Sequence, residues 1–256
     1  VNTASDSYVH WNWMMQATGS GSLNEVGSID STVLVDTTLG MSVGTYTGTT
    51  SAATIGHGLG VAPELVIVKS LGSAYGWYVY HTGLAANTYY LRLDTNAAES
   101  SGGATIFNST SPTSTVFSIG TNSEINSVEK YGFMVFADSQ FISIGSYQGN
   151  GNADGTFIPT FNSLGVPIQP VWTLIKNIDS AQSWWIRDTV RNPYNIITAE
   201  LHPDLNNAEY QSGTMDIVTG GIKQRVSSDS NSSATYVYMA IGTPIIDTDG
   251  RIIAGR

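Results

Sequence analysis

The chain has 256 residues, a formal charge of -10 and no cysteine, and these facts remove several functions. Ten Lys and Arg against twenty Asp and Glu offer no basic patch to a phosphate backbone, which argues against nucleic acid and anionic membranes as partners. Without Cys there is no disulfide, thiolate nucleophile or Cys-based metal site, and no apolar run is long enough for a membrane-spanning helix.

Taken in chain order, Tyr8-Val-His-Trp-Asn-Trp13 follows Asn2 much as Tyr131 follows Asn126 and Tyr236 follows Asn231. The chain is therefore expected to open inside the last strand of a preceding repeat. Residues 14 to 40, with Gly-Ser-Gly-Ser at 19 to 22, are weakly patterned and read as a connector. From there the strand signals dominate: short β-branched and aromatic runs bounded by Gly, Asn, Ser, Asp and Pro. Leu65–Val68 and Trp172–Ile175 each follow a Pro as short apolar runs, the pattern of strands buried on both faces. Trp77–Tyr80 and Trp184–Arg187 come after a polar turn, so each is expected to complete a β-hairpin. Ala104–Phe107 and Thr115–Ile119 add further strands around the polar stretch at 108 to 114. Asp247-Thr-Asp-Gly250 reads as a turn before a short strand, Ile252-Ile-Ala254.

Most of these elements occur twice. Gly58-Leu-Gly-Val-Ala-Pro-Glu-Leu-Val-Ile-Val-Lys69 returns as Leu164-Gly-Val-Pro-Ile-Gln-Pro-Val-Trp-Thr-Leu-Ile-Lys176. Tyr46-Thr-Gly-Thr49 pairs with Tyr147-Gln-Gly-Asn150, and Asp94-Thr-Asn-Ala-Ala-Glu99 with Asp204-Leu-Asn-Asn-Ala-Glu209. Tyr131-Gly-Phe-Met-Val-Phe136 pairs with Tyr236-Val-Tyr-Met-Ala-Ile241. A repeat of roughly a hundred residues is the size of a small domain, not of a solenoid turn. The expected fold class is all-β: two homologous tandem β-sandwich or jelly-roll-like domains with an N-terminal strand remnant. The expected boundaries are 1–39 for the remnant and connector, 40–142 for the first domain, and 143–256 for the second with its tail.

Chemistry is sparse along this chain. His10, His57, His81 and His202 lie far apart, and no zinc-protease, P-loop, nucleophile-elbow or dinucleotide motif occurs. A Ser/His/Asp or paired-carboxylate site formed by residues distant in sequence stays open. His57, within Gly56-His-Gly58, reads as a turn, because no helix follows to bind an anion. Asn150-Gly-Asn-Ala-Asp-Gly155 and Asp247–Gly250 carry oxygens at spacings calcium could use, yet neither completes an EF-hand, and turn chemistry accounts for both. Glu99 and Glu209, each after Asn-x-Ala, are expected to order a loop by accepting backbone N–H bonds. No cofactor or metal is expected, and no enzymatic activity.

The aromatics carry the clearest functional signal. Strand alternation puts Trp77 and Val79 on one face and Tyr78 and Tyr80 on the other; likewise Trp184 and Ile186 oppose Trp185 and Arg187. If the first face is core, then Tyr78, Tyr80, Trp185 and Arg187 point outward as ligand-binding candidates able to stack on sugars, unless another sheet or subunit covers them.

The Tyr-x-Gly-Asn, Gly-Leu-Gly-Val-Ala-Pro, Val-Ile-Val-Lys, Trp-x-Val-Tyr, Asn-x-Ala-Glu and Asn-to-Tyr elements, in this order and repeated, resemble a repeat of virion-associated proteins of tailed phages, many of them marine. The resemblance covers most of the chain from Tyr46 onward. It implies a particle-associated protein of tail-fibre or head-decoration type, located in the virion, self-associating as a homo-oligomer and touching other virion proteins. Host surface glycan is the expected ligand of an adhesive module; packing alone is the alternative, and a glycan depolymerase the third reading.

Overall fold

The computed structural model describes residues 8–15 and 19–246, and is almost entirely antiparallel β. Its first half runs through β1 (Ser22–Asn24), β2 (Ser31–Asp36), β3 (Met41–Thr47), β4 (Ala53–Gly56), β5 (Leu65–Ser70), β6 (Trp77–His81), β7 (Tyr89–Arg92), β8 (Ser100–Ser101), β9 (Val116–Ile119) and β10 (Lys130–Phe136). Eight of these form one sheet in the order β1-β2-β3-β10-β5-β6-β7-β8, while β4 and β9 pair as a separate small layer. The second half runs through β11 (Ile142–Gln148), β12 (Phe157–Pro159), β13 (Ile168–Asn177), β14 (Trp185–Asp188), β15 (Ile197–Glu200), β16 (Tyr210–Val218), β17 (Gly221–Gln224) and β18 (Thr235–Pro244). These make two four-stranded sheets, β11-β18-β13-β14 and β12-β17-β16-β15.

The strand order β3-β10-β5-β6 thus returns as β11-β18-β13-β14, and the sequence repeat has a counterpart in topology. Three apolar layers separate the four sheets. Tyr46, Val66, Val68, Tyr78, Tyr80 and Phe133 meet Ile55, Phe117 and Ile119 beneath the β4–β9 layer. Leu65, Ile67, Val79 and Phe136 on the other face of the eight-stranded sheet meet Trp172, Leu174, Val237 and Met239. Tyr147, Ile175, Trp185 and Tyr236 close on Ile158, Met215 and Ile222 of the outer sheet. Strand alternation feeds two cores at once, because β5 and β13 are covered on both faces.

The recurring Asn and Tyr residues lock each half. Tyr46 stacks on Tyr131 with ring centroids 5.2 Å apart, and Tyr147 on Tyr236 at 4.9 Å. Their hydroxyls donate to the carbonyls of Ile125 and Ser230, both at 2.6 Å. Fully buried Asn126 accepts from the Thr49 amide at 2.8 Å and donates to the carbonyls of Ser51 and Gly120. Asn231 does the same for its own loops, donating to the carbonyls of Asn152 and Val226. A buried amide that satisfies several backbone groups cannot be replaced without orphaning them, which explains why the Asn-to-Tyr element reads so strongly.

Three expectations need revision. The supposed connector contains β1 and β2, which widen the first sheet; Ser31–Asp36 alternates its burial but does so over one short strand. Ala104–Phe107 is not a strand: Gly103–Thr105 forms a 3-10 turn that drops Ile106 and Phe107 into the first core. Tyr8–Met15 has no strand pairing, and Trp11 and Trp13 instead meet the Trp172 ring edge-on at 6.3 and 5.3 Å. Asn2 and the tail Asp247–Ala254 lie outside the described residues.

Candidate functional site

The alternation predicted for the two hairpins holds, but its outward face does not exist. Tyr78 and Tyr80 are 3% and 5% exposed inside the first core, and the Tyr78 hydroxyl donates to Glu124 at 2.9 Å. Burial and that carboxylate push the Tyr78 phenol upward. Trp185 is buried in the third core beside Tyr236. Arg187 is fully buried, its guanidinium forking onto Glu200 at 2.6 and 3.2 Å and reaching Ser230 Oγ at 3.4 Å. None of the four can stack on an external ring. A second layer of the same chain covers them, which the two hairpins by themselves do not encode.

The other candidates resolve as loop architecture. His57 is buried, donates from Nε2 to the Thr113 carbonyl at 3.1 Å and accepts the Leu59 amide on Nδ1, and burial lowers its pKa. Asn150 and Asn152 turn their oxygens onto the amides of Asn152 and Asp154, while Asp154 pairs with Lys223 at 2.7 Å. Glu99 accepts the Ala85 amide at 3.0 Å as expected, whereas Glu209 pairs with the Arg191 guanidinium at 2.7 Å. Among the described residues no group of three His, Asp or Glu stands where it could hold a metal ion, and no helix is long and apolar enough to cross a membrane.

Two larger concave features stand out among the described residues. The larger is a groove of about 730 Å³ on the face of the eight-stranded sheet opposite the β4–β9 layer, where the second half of the chain stops short. Leu34, Val43, Ile67, Trp77 and Met134 form its floor, with Lys69 and Leu71 along it. Gly132 lies beneath, its open side facing Leu71, so the floor is low there. The Lys69 ammonium is tied to the carbonyls of Ser70 and Ser73 at 3.0 and 3.2 Å, and Glu129 holds that turn through Ser70 and Ser73 hydroxyls at 2.7 Å each. Leu71 is 59% exposed.

The smaller, about 440 Å³, brings together Glu64 and Asp138, a pair that sequence spacing cannot reveal because 74 positions separate them. Glu64 accepts the Asp138 amide at 2.9 Å and Asp138 accepts the Ile144 amide at 2.7 Å. Burial raises both carboxyls, Asp138 to about 7. Such a group can hold a proton near neutrality. Here both oxygens also fix the crossing between β10 and β11.

A single family model spans both halves of the chain, over residues 1–243. The chain belongs to the DUF7483 family, a domain of unknown function. No curated protein and no solved structure matches it. The DUF7483 unit therefore comprises the eight-stranded sheet with its groove together with the sheets that follow.

Proposed function

We propose that this DUF7483 chain is a non-enzymatic structural module of a tailed-phage particle, of tail-fibre or head-decoration type, that works by packing against other protein surfaces. The observation that carries the reading is the burial of Tyr78, Tyr80, Trp185 and Arg187: the strongest aromatic signal in the chain is spent on holding sheets together. The repeated motifs resembling virion proteins support the particle setting. A chain rich in hydroxyls and amides, with only 12% charged residues overall, suits a protein that meets neighbours without steering by charge. The test is to purify the particles released from cells that carry the gene and probe them for the chain by peptide mass spectrometry and immunogold labelling. Its absence from intact particles, with presence in the lysate, would overturn the proposal.

Adhesion to neutral surface glycan is the second reading, now supported by half-buried Trp77 beside Lys69 in the groove. An aromatic floor next to a cation is a surface on which a sugar ring stacks. Saturable binding of labelled chain to host cells, competed by soluble host polysaccharide and lost in Trp77→Ala, is the result expected of an adhesin. Uncompeted or absent binding removes it.

A further inference from the structure

The open groove of the first half has an equivalent in the second half, and there it is filled. Lys176 is the penultimate residue of its strand as Lys69 is, and its ammonium likewise returns to the next carbonyl, that of Asn177, at 2.6 Å. Trp184 corresponds to Trp77: their amides donate to the equivalent Asp204 and Asp94 at 3.0 and 2.9 Å. Ile178 corresponds to Leu71, since both amides bond across to the partner strand, at Thr235 and Lys130. The exposures are opposite: Ile178 is 3% exposed and Leu71 59%.

What covers the second face is the Asp94–Glu99 loop of the first half. The Asn96 carbonyl accepts from Lys176 at 3.3 Å, the Arg92 carbonyl accepts from the Trp184 indole at 2.9 Å, and the Glu99 amide donates to the Ile178 carbonyl at 3.0 Å. That loop has its own equivalent, Asp204-Leu-Asn-Asn-Ala-Glu209, and in this chain the residues from Leu205 to Tyr210 are exposed, with Leu205 and Tyr210 both at 43%. Among the described residues, one molecule therefore presents an unfilled receptor at one site and an unused loop of the matching kind at another.

We infer that a second copy of this chain seats its Asp204–Tyr210 loop in the groove over Lys69 and Trp77. The contact reuses the internal one: the Asn206 carbonyl takes the Lys69 ammonium, the His202 carbonyl the Trp77 indole, and the Glu209 amide bonds the Leu71 carbonyl, with Leu205 on the apolar floor. Loop and groove are different surfaces, and the inferred contact is the heterologous one, extending head to tail into a ring or filament of more than two copies. The far end of the second inner face is already covered by Trp11 and Trp13 on Trp172, so the contact rests on the loop and its flanks. This deepens the packing role proposed above by naming the partner and the surface.

The test is sedimentation velocity of the full chain over a concentration series at about 0.15 M salt, where repulsion between like-charged copies is screened beyond ~8 Å. The expected result is a weight-average mass that rises with concentration past the dimer. Leu71→Asp, a change at an exposed position that leaves the circular dichroism and melting temperature of the monomer intact, weakens association on the order of a hundredfold by forcing a charge into the contact. As the native chain has no cysteine, Leu71→Cys combined with Glu209→Cys gives a ladder of oxidised multimers, while neither single variant does. A monomer at the highest soluble concentration, growth that stops at a dimer, association indifferent to Leu71→Asp, or a glycan that occupies the groove of a persistent monomer would each overturn the inference. Absence from particles would instead sink the functional proposal and leave the contact standing.

Discussion

Lys69 and Lys176 are the penultimate residues of equivalent strands, yet one lies in an open groove while the other is sealed beneath a loop from the opposite half. Burial lowers the Lys176 ammonium to about 8 despite the Asp204 charge nearby. Side-chain chemistry at the two sites is nearly the same, so the difference comes from what lies on top. A duplicated element does not fix its own environment: each copy meets a different neighbour, and the copy with none keeps an apolar floor at the surface.

Substitution at equivalent positions sharpens this contrast, and the aromatic pair should show the largest difference. Trp184→Ala removes a ring that fills the inter-sheet core and is expected to cost about 3–5 kcal/mol, whereas Trp77→Ala, on a half-open floor, should cost about 1 kcal/mol. Urea denaturation of both variants measures the gap. Arg187 and Tyr80 form a second such pair. Glu200→Ala strands the Arg187 guanidinium in the third core and should destabilise by about 3–5 kcal/mol, while Tyr80→Phe should change stability by under ~1 kcal/mol. Equal losses in the two halves would mean that the second half is no more tightly sealed than the first.

Protonation tests the junction itself. His81 donates from Nε2 to the Tyr238 carbonyl at 3.2 Å, bridging the halves, while Nδ1 accepts the Gly83 amide at 2.9 Å. Burial lowers its pKa from 6.5 to about 4. Below pH 6.5 the unfolded chain therefore takes up a proton that the folded chain refuses, and stability falls as pH drops from 6.5 to about 4, by up to about 3 kcal/mol. His81→Gln should flatten this acid limb in a series of urea melts. Asp138 slopes the other way: with its folded pKa raised to about 7, the folded chain holds the extra proton, so stability declines as pH rises from about 4 to about 7. Asp138→Asn keeps an acceptor for the Ile144 amide and should stabilise the chain by about 1 kcal/mol at pH 8, the discount from the full shift reflecting solvent screening at a partly exposed carboxyl. A variant no more stable than the parent at pH 8 would assign the proton elsewhere.

Some of the architecture was legible in particular residues. Tyr46, Tyr131, Tyr147 and Tyr236 with Asn126 and Asn231 marked the paired strands β3–β10 and β11–β18 because their roles are local to each half and recur with it. The β5–β6 and β13–β14 hairpins were legible from apolar runs and turns. The groove was not, since Gly44, Ile67, Trp77 and Gly132 come from four strands and nothing in their spacing tells which face stays bare. Nor was the Glu64–Asp138 pair, whose meeting depends on the crossing from β10 to β11.

What the sequence by itself determined was therefore the all-β class, the main hairpins with their alternation, and their duplication, all consequences of local backbone geometry and side-chain period. What only the tertiary structure decided was coverage. Tyr78, Tyr80, Trp185 and Arg187 became core and Leu71 stayed exposed, because burial depends on which layer packs onto a face, and that contact is made by residues far away along the chain.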